Sequence, residues 1–443
     1  MIRRIHAAFR ARLWPIPVLA VALALAVALG AGLPALDNLL DERMPGALEN
    51  YLFSGGAEAA RAVLQAISGS LITVTSLTFS LTVVTLQLAS SQFSPRLLRT
   101  FTSDGFVHWT LALFLGTFSY SLTVLRSVRS SAESRDEFVP DIAVTVAFLL
   151  ALTSVIGLVF FLAHLTREIR VETMMKNVHA ETAATIERVI PKDPAPGPSQ
   201  PAGPGAARLA AGSSGFLNSV DAVAVVDVAR AAGAIIRIDA WPGESLIAGV
   251  PFATVWAAGE RKEFTAAEFE DLTRRLGNAV TIGFERTNDQ DPAFGFRQLA
   301  DVGARALSPG TNDPTTAVHV IGHLSSLLCM LAGRDLRDEV ANDDDGVVRA
   351  ILARPGFDHY LSLAVSQIRH YGMKDADVGN RLLALFGEVS WCDRRGARRA
   401  ALEARLSELR ESIEHHEYSS AEKRALVEHY EETRGALSPF SQP

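Results

Sequence analysis

Cysteine is almost missing from this chain: two residues, Cys329 and Cys392, among 443. So few exclude a disulfide framework, and two thiols alone cannot complete a metal site. Both are expected to be reduced core residues in the cytosol. Catalytic signatures are missing as well. There is no Walker loop, no Rossmann glycine pattern after a clear strand, no G-x-S-x-G and no kinase set. The stretch "LFSGGAEAA" holds only paired glycines. His319 and His323 stand one helical turn apart in "HVIGH", without the Glu that H-E-x-x-H requires, so they read as a helix face. His415 and His416 are adjacent and face different directions. With no nucleophile–base set visible, the sequence predicts no enzyme, no cofactor and no metal. The mild net charge of −7 gives no reason to expect nucleic acid.

Charge is sparse in the first 165 residues, which are dominated by long uncharged runs. The chain as a whole is 48% apolar, with 21% charged residues and a mean hydropathy of +0.18. That average hides two unlike halves, a membrane half and a soluble half. Four runs match the roughly 20 apolar residues that a bilayer core needs: "PIPVLAVALALAVALGAGLPAL" from Pro15 to Leu36, a stretch within Ala62 to Ser94, Phe106 to Leu125, and Ile142 to Leu165. The first run has the basic flank of a signal peptide but is longer than a usual apolar region, and three spans follow it, so it is read as an uncleaved anchor. Lys and Arg near span ends set direction. Arg3, Arg4, Arg10, Arg12, Arg96, Arg99, Arg167, Arg170 and Lys176 fall on one side. They outnumber Arg43, Arg61, Arg126, Arg129 and Arg135 on the other. Both termini are therefore expected in the cytosol of a multi-pass membrane protein.

Hydroxyls punctuate the second run. Thr75, Thr78, Thr82 and Thr85 recur at helical spacing and share a face; Thr73, Ser76, Ser80, Gln87 and Ser91 form a neighbouring stripe, interrupted by Val84. Two readings stand. Small hydroxylated residues let membrane helices pack closely, or in an oligomer they line a neutral aqueous path. None of the runs carries an internal Asp, Glu, Lys or Arg, which argues against a proton-driven pump or voltage sensor. Pro95 ends or kinks this helix, and Arg96 and Arg99 sit at the headgroup level as interface anchors.

The last span is expected to continue as helix through "TREIRVETMMKNVHAETAATIERVI", before the Pro/Gly-rich linker "PKDPAPGPSQPAGPG". From Gly215 to Ala258 the runs "VAVVDV", "GAIIRIDA" and "PFATVWA" are β-branched and broken by Gly and Pro, which predicts a small β-rich module. Gly243 and Gly249 mark turns on either side of a strand, similar to those of barrel-sandwich modules, with no lysine at the tip to carry a cofactor. Residues 264–333 read as helical, with Asp313 and Pro314 opening one helix. "GVVRAILARPGF" adds a strand, and amphipathic helices follow to the C-terminus.

One polar constellation is dense: Glu285, Arg286, Asp289, Asp291, Arg297, Asp301 and Arg305, leading to Asn312 and Asp313. Arg297, Asp301 and Arg305 share a helix face. The cluster is either a structural ion-pair network or an anion site, with Arg286, Arg297 and Arg305 gripping phosphate and the helix after Asp313 directing amides towards it.

"SLTFSLTVVTLQLASSQFSPRLLRTF" and "ERTNDQDPAFGFRQLADVGARALSPGTNDPTTA" together resemble the bacterial family called domain of unknown function 2254, described as predicted membrane proteins. The likeness runs from about Trp14 to Leu385, and the proline-rich stretch looks like a variable insertion. It implies an integral membrane protein with a cytosolic portion, and it supplies no activity and no functional residues. The expected organisation is a four-span transmembrane α-helical domain (1–165), a helical extension and linker (166–207), a small β-rich module (208–260) and a mainly helical domain (261–443), the last two forming a mixed α+β cytosolic part. The expected partners are the lipid bilayer, further copies of the chain, and a small anionic ligand or cytosolic protein. Two functions fit: an oligomeric channel, or a non-conducting sensor or scaffold.

Overall fold

Helices α1 (Pro15–Leu40), α2 (Ala57–Gln92), α3 (Gly105–Leu125) and α4 (Asp141–Glu168) occupy the four uncharged runs. The computed structural model describes residues 15–40, 52–92, 105–129, 138–168, 170–192, 207–258 and 264–437. Pro95, Arg96, Arg99, the N-terminal arginines and nearly all of the proline-rich linker lie outside these residues. The chain divides into two units, Met1–Thr173 and Met174–Pro443.

In the first unit α3 is central and packs against α1, α2 and α4. Glycines bring the backbones together. A Cβ at Gly30 of α1 would stand 2.8 Å from Thr123 Cβ on α3, and one at Gly157 of α4 would stand 3.2 Å from Leu113. Small residues at crossings are how apolar helices approach when lipid offers no hydrophobic drive. Burial is inverted relative to a water-soluble bundle. Thr110, Thr117, Ser121 and Ser154 are inside, while Val21 and Leu25 of α1 and Val155, Val159 and Phe160 of α4 are exposed. Inside, Thr117 and Ser154 hydroxyls meet at 3.2 Å, and the Tyr120 hydroxyl donates to Ala143 O at 3.0 Å.

Length and composition pick out four helices able to cross a membrane among the described residues: Pro17–Asp37, Ala57–Gln87, Asp141–Arg167 and Pro314–Ala332. Three of them match expected spans. The expected third span forms α3 but is not in that set, because His108, Tyr120 and its Ser and Thr residues dilute its apolar character. Pro314–Ala332 belongs to the second unit. The expected continuation of α4 is also interrupted. α4 stops at Glu168, Arg170 N bonds Arg167 O in a tightened turn, and a separate helix α5 (Val171–Val189) follows.

After α5 the second unit continues with strands β1 (Ala207–Ala210) and β2 (Gly215–Val220), helix α6 (Ala222–Ala232), and strands β3 (Ala234–Ile238), β4 (Ser245–Leu246) and β5 (Pro251–Ala257). Helix α7 (Ala266–Ala279), β6 (Val280–Gly283), and the hairpin β7 (Glu339–Asn342) and β8 (Val348–Leu352) complete this part. One sheet has the order β1-β5-β3-β8-β7 and the other β4-β2-β6; β3 and β8 are parallel, every other pair antiparallel. In β3, residues 234, 236 and 238 point to the core and 235 and 237 away. The two sheets, α6 and α7 share one core that includes Leu209, Leu217, Val225, Ile236, Val255 and Leu272.

This part corrects two expectations. "VAVVDV" is not a strand. Asp221 caps its start by accepting from Ala224 N, Gly233 ends it at φ 59°, and Val225, Val228 and Ala229 fall on one buried helical face. Cap and periodicity override the β-branched composition. Nor does a β-module close within 208–260, since β6, β7 and β8 come from later in the chain and pair with it. The expected strand in "GVVRAILARPGF" is β8. Gly243 (φ 100°) and Gly249 (φ 82°) take turn conformations on either side of β4, as their positions predict.

Six helices finish the unit: α8 (Pro292–Ala306), α9 (Pro314–Ala332), α10 (Phe357–Gly372), α11 (Ala376–Cys392), α12 (Arg399–His415) and α13 (Ser420–Ala436). Helix α9 lies among α8, α10 and α11. Its Leu324, Leu327, Leu328 and Leu331 are fully buried. It is apolar because it is a core helix.

Candidate functional site

The two polar stripes of α2 separate. Thr75, Thr78 and Thr85 are buried and Thr82 is half-buried, all turned towards the unit's own helices. Their hydroxyls mostly return to the backbone of the same helix: Thr75 to Leu71 O (2.7 Å), Thr82 to Thr78 O (2.9 Å) and Thr85 to Leu81 O (2.8 Å). Such back-bonding satisfies a hydroxyl without a distant partner. Thr78 Oγ1 is buried with no hydrogen-bond partner among the described residues. The second stripe, expected beside the first, lies on the opposite side. Thr73, Ser76, Ser80 and Gln87 are exposed, together with Gly69 and Val84. Of Ser91, also expected in this stripe, the side chain lies outside what is described. Leu77 and Phe79 flank the stripe and are exposed as well.

In the second unit the constellation around Arg286 resolves into separate parts. Asp291 caps α8 by accepting from Phe294 N at 3.2 Å. Arg286 grips the same carboxylate from two nitrogens, Nε to Oδ2 at 2.5 Å and Nη2 to Oδ1 at 3.1 Å, and lies over the Phe294 ring. Burial pushes Asp291 above the usual carboxylate range, against the pull of Arg286. The turn at Gly243 closes over this pair. Any Cβ there would collide with Asp291 Oδ2 and Arg286 Nη2, and the φ of 100° favours glycine independently. Next to it the Trp241 and His359 rings meet edge-on, 5.8 Å between centroids. His359 is held below its ordinary value by burial first, then by the charges of Arg286 and Arg297. The structure therefore brings Arg286, Asp291, Arg297 and His359 into one neighbourhood.

The remaining predicted residues do other work. Asp289 is exposed; its carboxylate accepts from the Thr287 hydroxyl at 3.0 Å and its carbonyl from Arg188 at 2.7 Å. Glu285 is exposed, and its carbonyl accepts from Asn218 Nδ2 at 3.0 Å. Asp301 and Arg305 follow Arg297 along α8, half-buried and exposed respectively. Asn312 takes a left-handed φ of 47° before α9. Asp313 caps α9, accepting from Thr316 N at 3.0 Å and Thr316 Oγ1 at 2.5 Å; these bonds hold its carboxyl below the usual range. The α9 amides that the anion reading offered to phosphate are thus already occupied by Asp313.

Three residues were not singled out in the sequence. Asp37, near the end of α1, accepts from Ile142 N (3.2 Å) and Ala143 N (3.1 Å), so a carboxylate from one helix caps the start of α4. Buried Arg334 donates to Ile190 O at 2.5 Å and pairs with Glu187, and Arg354 donates to Val189 O at 3.0 Å. Two cations thereby collect the free carbonyls at the end of α5. No local motif announces these contacts, because each joins residues more than a hundred positions apart. Along α5 the packing is just as close: a Cβ at Gly295 of α8 would overlap Thr182. Among the described residues no three His, Cys, Asp or Glu side chains form a metal-binding group.

A family model described as predicted membrane protein, domain of unknown function 2254, matches residues 10–388. The chain is 35% identical over 422 residues to an uncharacterized protein of Mycobacterium tuberculosis (strain H37Rv), covering 94% of this chain and 78% of the relative. An uncharacterized protein of Mycobacterium bovis matches with the same identity and coverage. No solved structure matches.

Proposed function

Because the chain belongs to the family of predicted membrane proteins called domain of unknown function 2254, we propose that it works as an oligomeric, channel-type protein of the bacterial inner membrane. In this reading the outer stripe of α2 faces further copies and lines a neutral aqueous path. One observation carries it. The side of α2 turned away from α1, α3 and α4 exposes Gly69, Thr73, Ser76, Ser80 and Gln87, where α1 and α4 expose Leu, Val and Phe. The Thr73 hydroxyl returns to Gly69 O at 3.2 Å, but the Gln87 amide is too large to be satisfied in this way, and protein or water over this stripe would supply the partners that acyl chains cannot. Gly69 with Thr73, and Ser76 with Ser80, repeat the four-residue spacing of small residues that lets membrane helices approach closely. Neutral hydroxyls would wet a path without choosing strongly by charge.

Both termini are placed in the cytosol on the Lys and Arg bias of the sequence, and no catalysis is assigned. The test is solute flux from vesicles holding the full-length protein. Ser76→Leu with Ser80→Leu should cut flux by about tenfold or more, whereas Thr78→Val, on the buried side, should leave it unchanged. Vesicles that release neither ions nor small neutral solutes at high protein density contradict the channel.

A second reading rests on a different observation. Arg297 is half-buried beside His359 and, among the described residues, has no carboxylate partner. A non-conducting sensor would hold a small anion there. Calorimetric titration of the full-length protein with inorganic phosphate should then show binding that Arg297→Ala abolishes. Absence of binding by the unsubstituted protein removes this reading.

A further inference from the structure

Helices α9 and α11 meet along three successive levels that climb both helices in the same direction. At the first, the space beside Gly322 is filled by Arg381, whose Nη2 would lie 3.8 Å from a Cβ at that position. At the second, the Ser325 hydroxyl donates to the Glu388 carboxylate, which Arg381 also grips from two nitrogens at 3.0 Å each. At the third, one helical turn further along each helix from the Ser325–Glu388 contact, stand Cys329 of α9 and Cys392 of α11, near enough that Cys392 acts on the Cys329 thiol. Gly322, Ser325 and Cys329 are small residues on one face of α9, and they allow α11 close. The only two cysteines of the chain, far apart in sequence, are thereby brought to facing positions, both half-buried and both free. A disulfide needs the two Cα atoms within about 7 Å of each other, and facing positions on two adjacent, closely packed helices are where such a pair arises.

We infer that Cys329 and Cys392 are a reversible oxidation site, closed to a disulfide by a hydroperoxide and reopened by a dithiol. Burial first, then Cys392 and the Glu388 carboxylate, push the Cys329 thiol up to about 12. Cys392 is therefore the attacking sulfur and Cys329 the resolving one. The Cys392 thiolate attacks the peroxide O–O bond, giving a sulfenic acid and one water. Cys329 sulfur then displaces the sulfenic oxygen as a second water, and the S–S bond forms. Two thiols and one hydrogen peroxide become one disulfide and two waters. The reaction is slow, because burial and the Glu388 carboxylate disfavour the Cys329 thiolate. In a reducing compartment such a bond would be transient, which suits a sensor of oxidative conditions rather than a permanent brace. Once closed, it ties the end of α9 to the end of α11 and restricts the unfolded chain between them.

The test uses the full-length protein in detergent. After millimolar hydrogen peroxide and a catalase quench, the protein is denatured, alkylated with a maleimide and weighed intact. The expected product carries no maleimide and has lost two hydrogens, while untreated protein carries two maleimides; dithiothreitol restores them. The oxidised form should melt roughly 5 °C higher. In Cys329→Ser the remaining Cys392 should stop at a sulfenic acid that dimedone captures. Two maleimides still added after peroxide, or intermolecular dimers in place of the two-hydrogen loss, overturn the inference.

Discussion

Helices α2 and α9 satisfy the same rule of length and apolar composition for crossing a membrane, yet they are used in opposite ways. Half of α9 is buried inside its own unit, whereas barely more than a quarter of α2 is. The leucines of α9 point inwards to other side chains; Leu77 and Phe79 of α2 point outwards. Helix α3 teaches the converse. It falls outside that rule but forms the centre of the membrane unit, because a helix surrounded by other helices can carry Tyr, Ser and Thr that bond to its neighbours. Hydropathy alone therefore cannot separate a span from a core helix. What separates them is which side of the helix carries the apolar groups and what covers it.

The comparison breaks most visibly if equivalent leucines respond alike. Leu328→Ala in α9 removes fully buried methyl groups and should destabilise the second unit by about 2–5 kcal/mol. Leu77→Ala in α2, on an exposed face, should cost less than about 1 kcal/mol. Thermal melts of the two variants in the same detergent decide it, and equal losses would dissolve the distinction.

Arg334→Ala should rank next, at about 3 kcal/mol in denaturant midpoint, because it strips the end of α5 of a buried cation and leaves Glu187 only the longer, exposed pair with Lys192. Gly243→Ala should cost roughly 2 kcal/mol through the collision with the Arg286–Asp291 pair and the strained φ. Thr78→Val should be neutral or stabilising by up to about 1 kcal/mol, since the hydroxyl it removes is buried without a partner among the described residues.

The smallest effect is that of pH on the second unit. His323 is held below its ordinary value by burial first, then by His179 and His319, and His359 is held down as described above. In that window the unfolded chain binds protons that the folded unit refuses. Stability is thus full above the ordinary histidine value of about 6.5 and declines as pH falls through it. Melting curves from pH 7.5 to 5 should show the decline, and His323→Gln should flatten it. An unchanged slope in the variant would assign the acid loss to other groups.

Much of this was legible in the residues. The four apolar runs, the helix opening at Asp313–Pro314, and the turns at Gly243 and Gly249 all rest on local chemistry that a short window contains. Helix α6 was misread because its valines spoke for a strand, although Asp221 and Gly233 already bracketed a helix. The positions of β6, β7 and β8 in the sheets, the Arg334 and Asp37 caps, and the meeting of Cys329 with Cys392 depend on chain segments far apart in sequence. Pattern reading can name such residues but cannot pair them. The two stripes of α2 stand between these cases: their spacing was readable, but which one faces inwards was set by how α1, α3 and α4 pack.

The most direct test of that orientation is disulfide trapping in native membranes, with Cys329→Ser and Cys392→Ser as background. Ser76→Cys and Ser80→Cys should each yield covalent dimers on mild oxidation, whereas Val155→Cys, on the exposed face of α4, should stay monomeric. Equal trapping at all three positions, or none at Ser76 and Ser80, would contradict an outer α2 stripe that faces another copy.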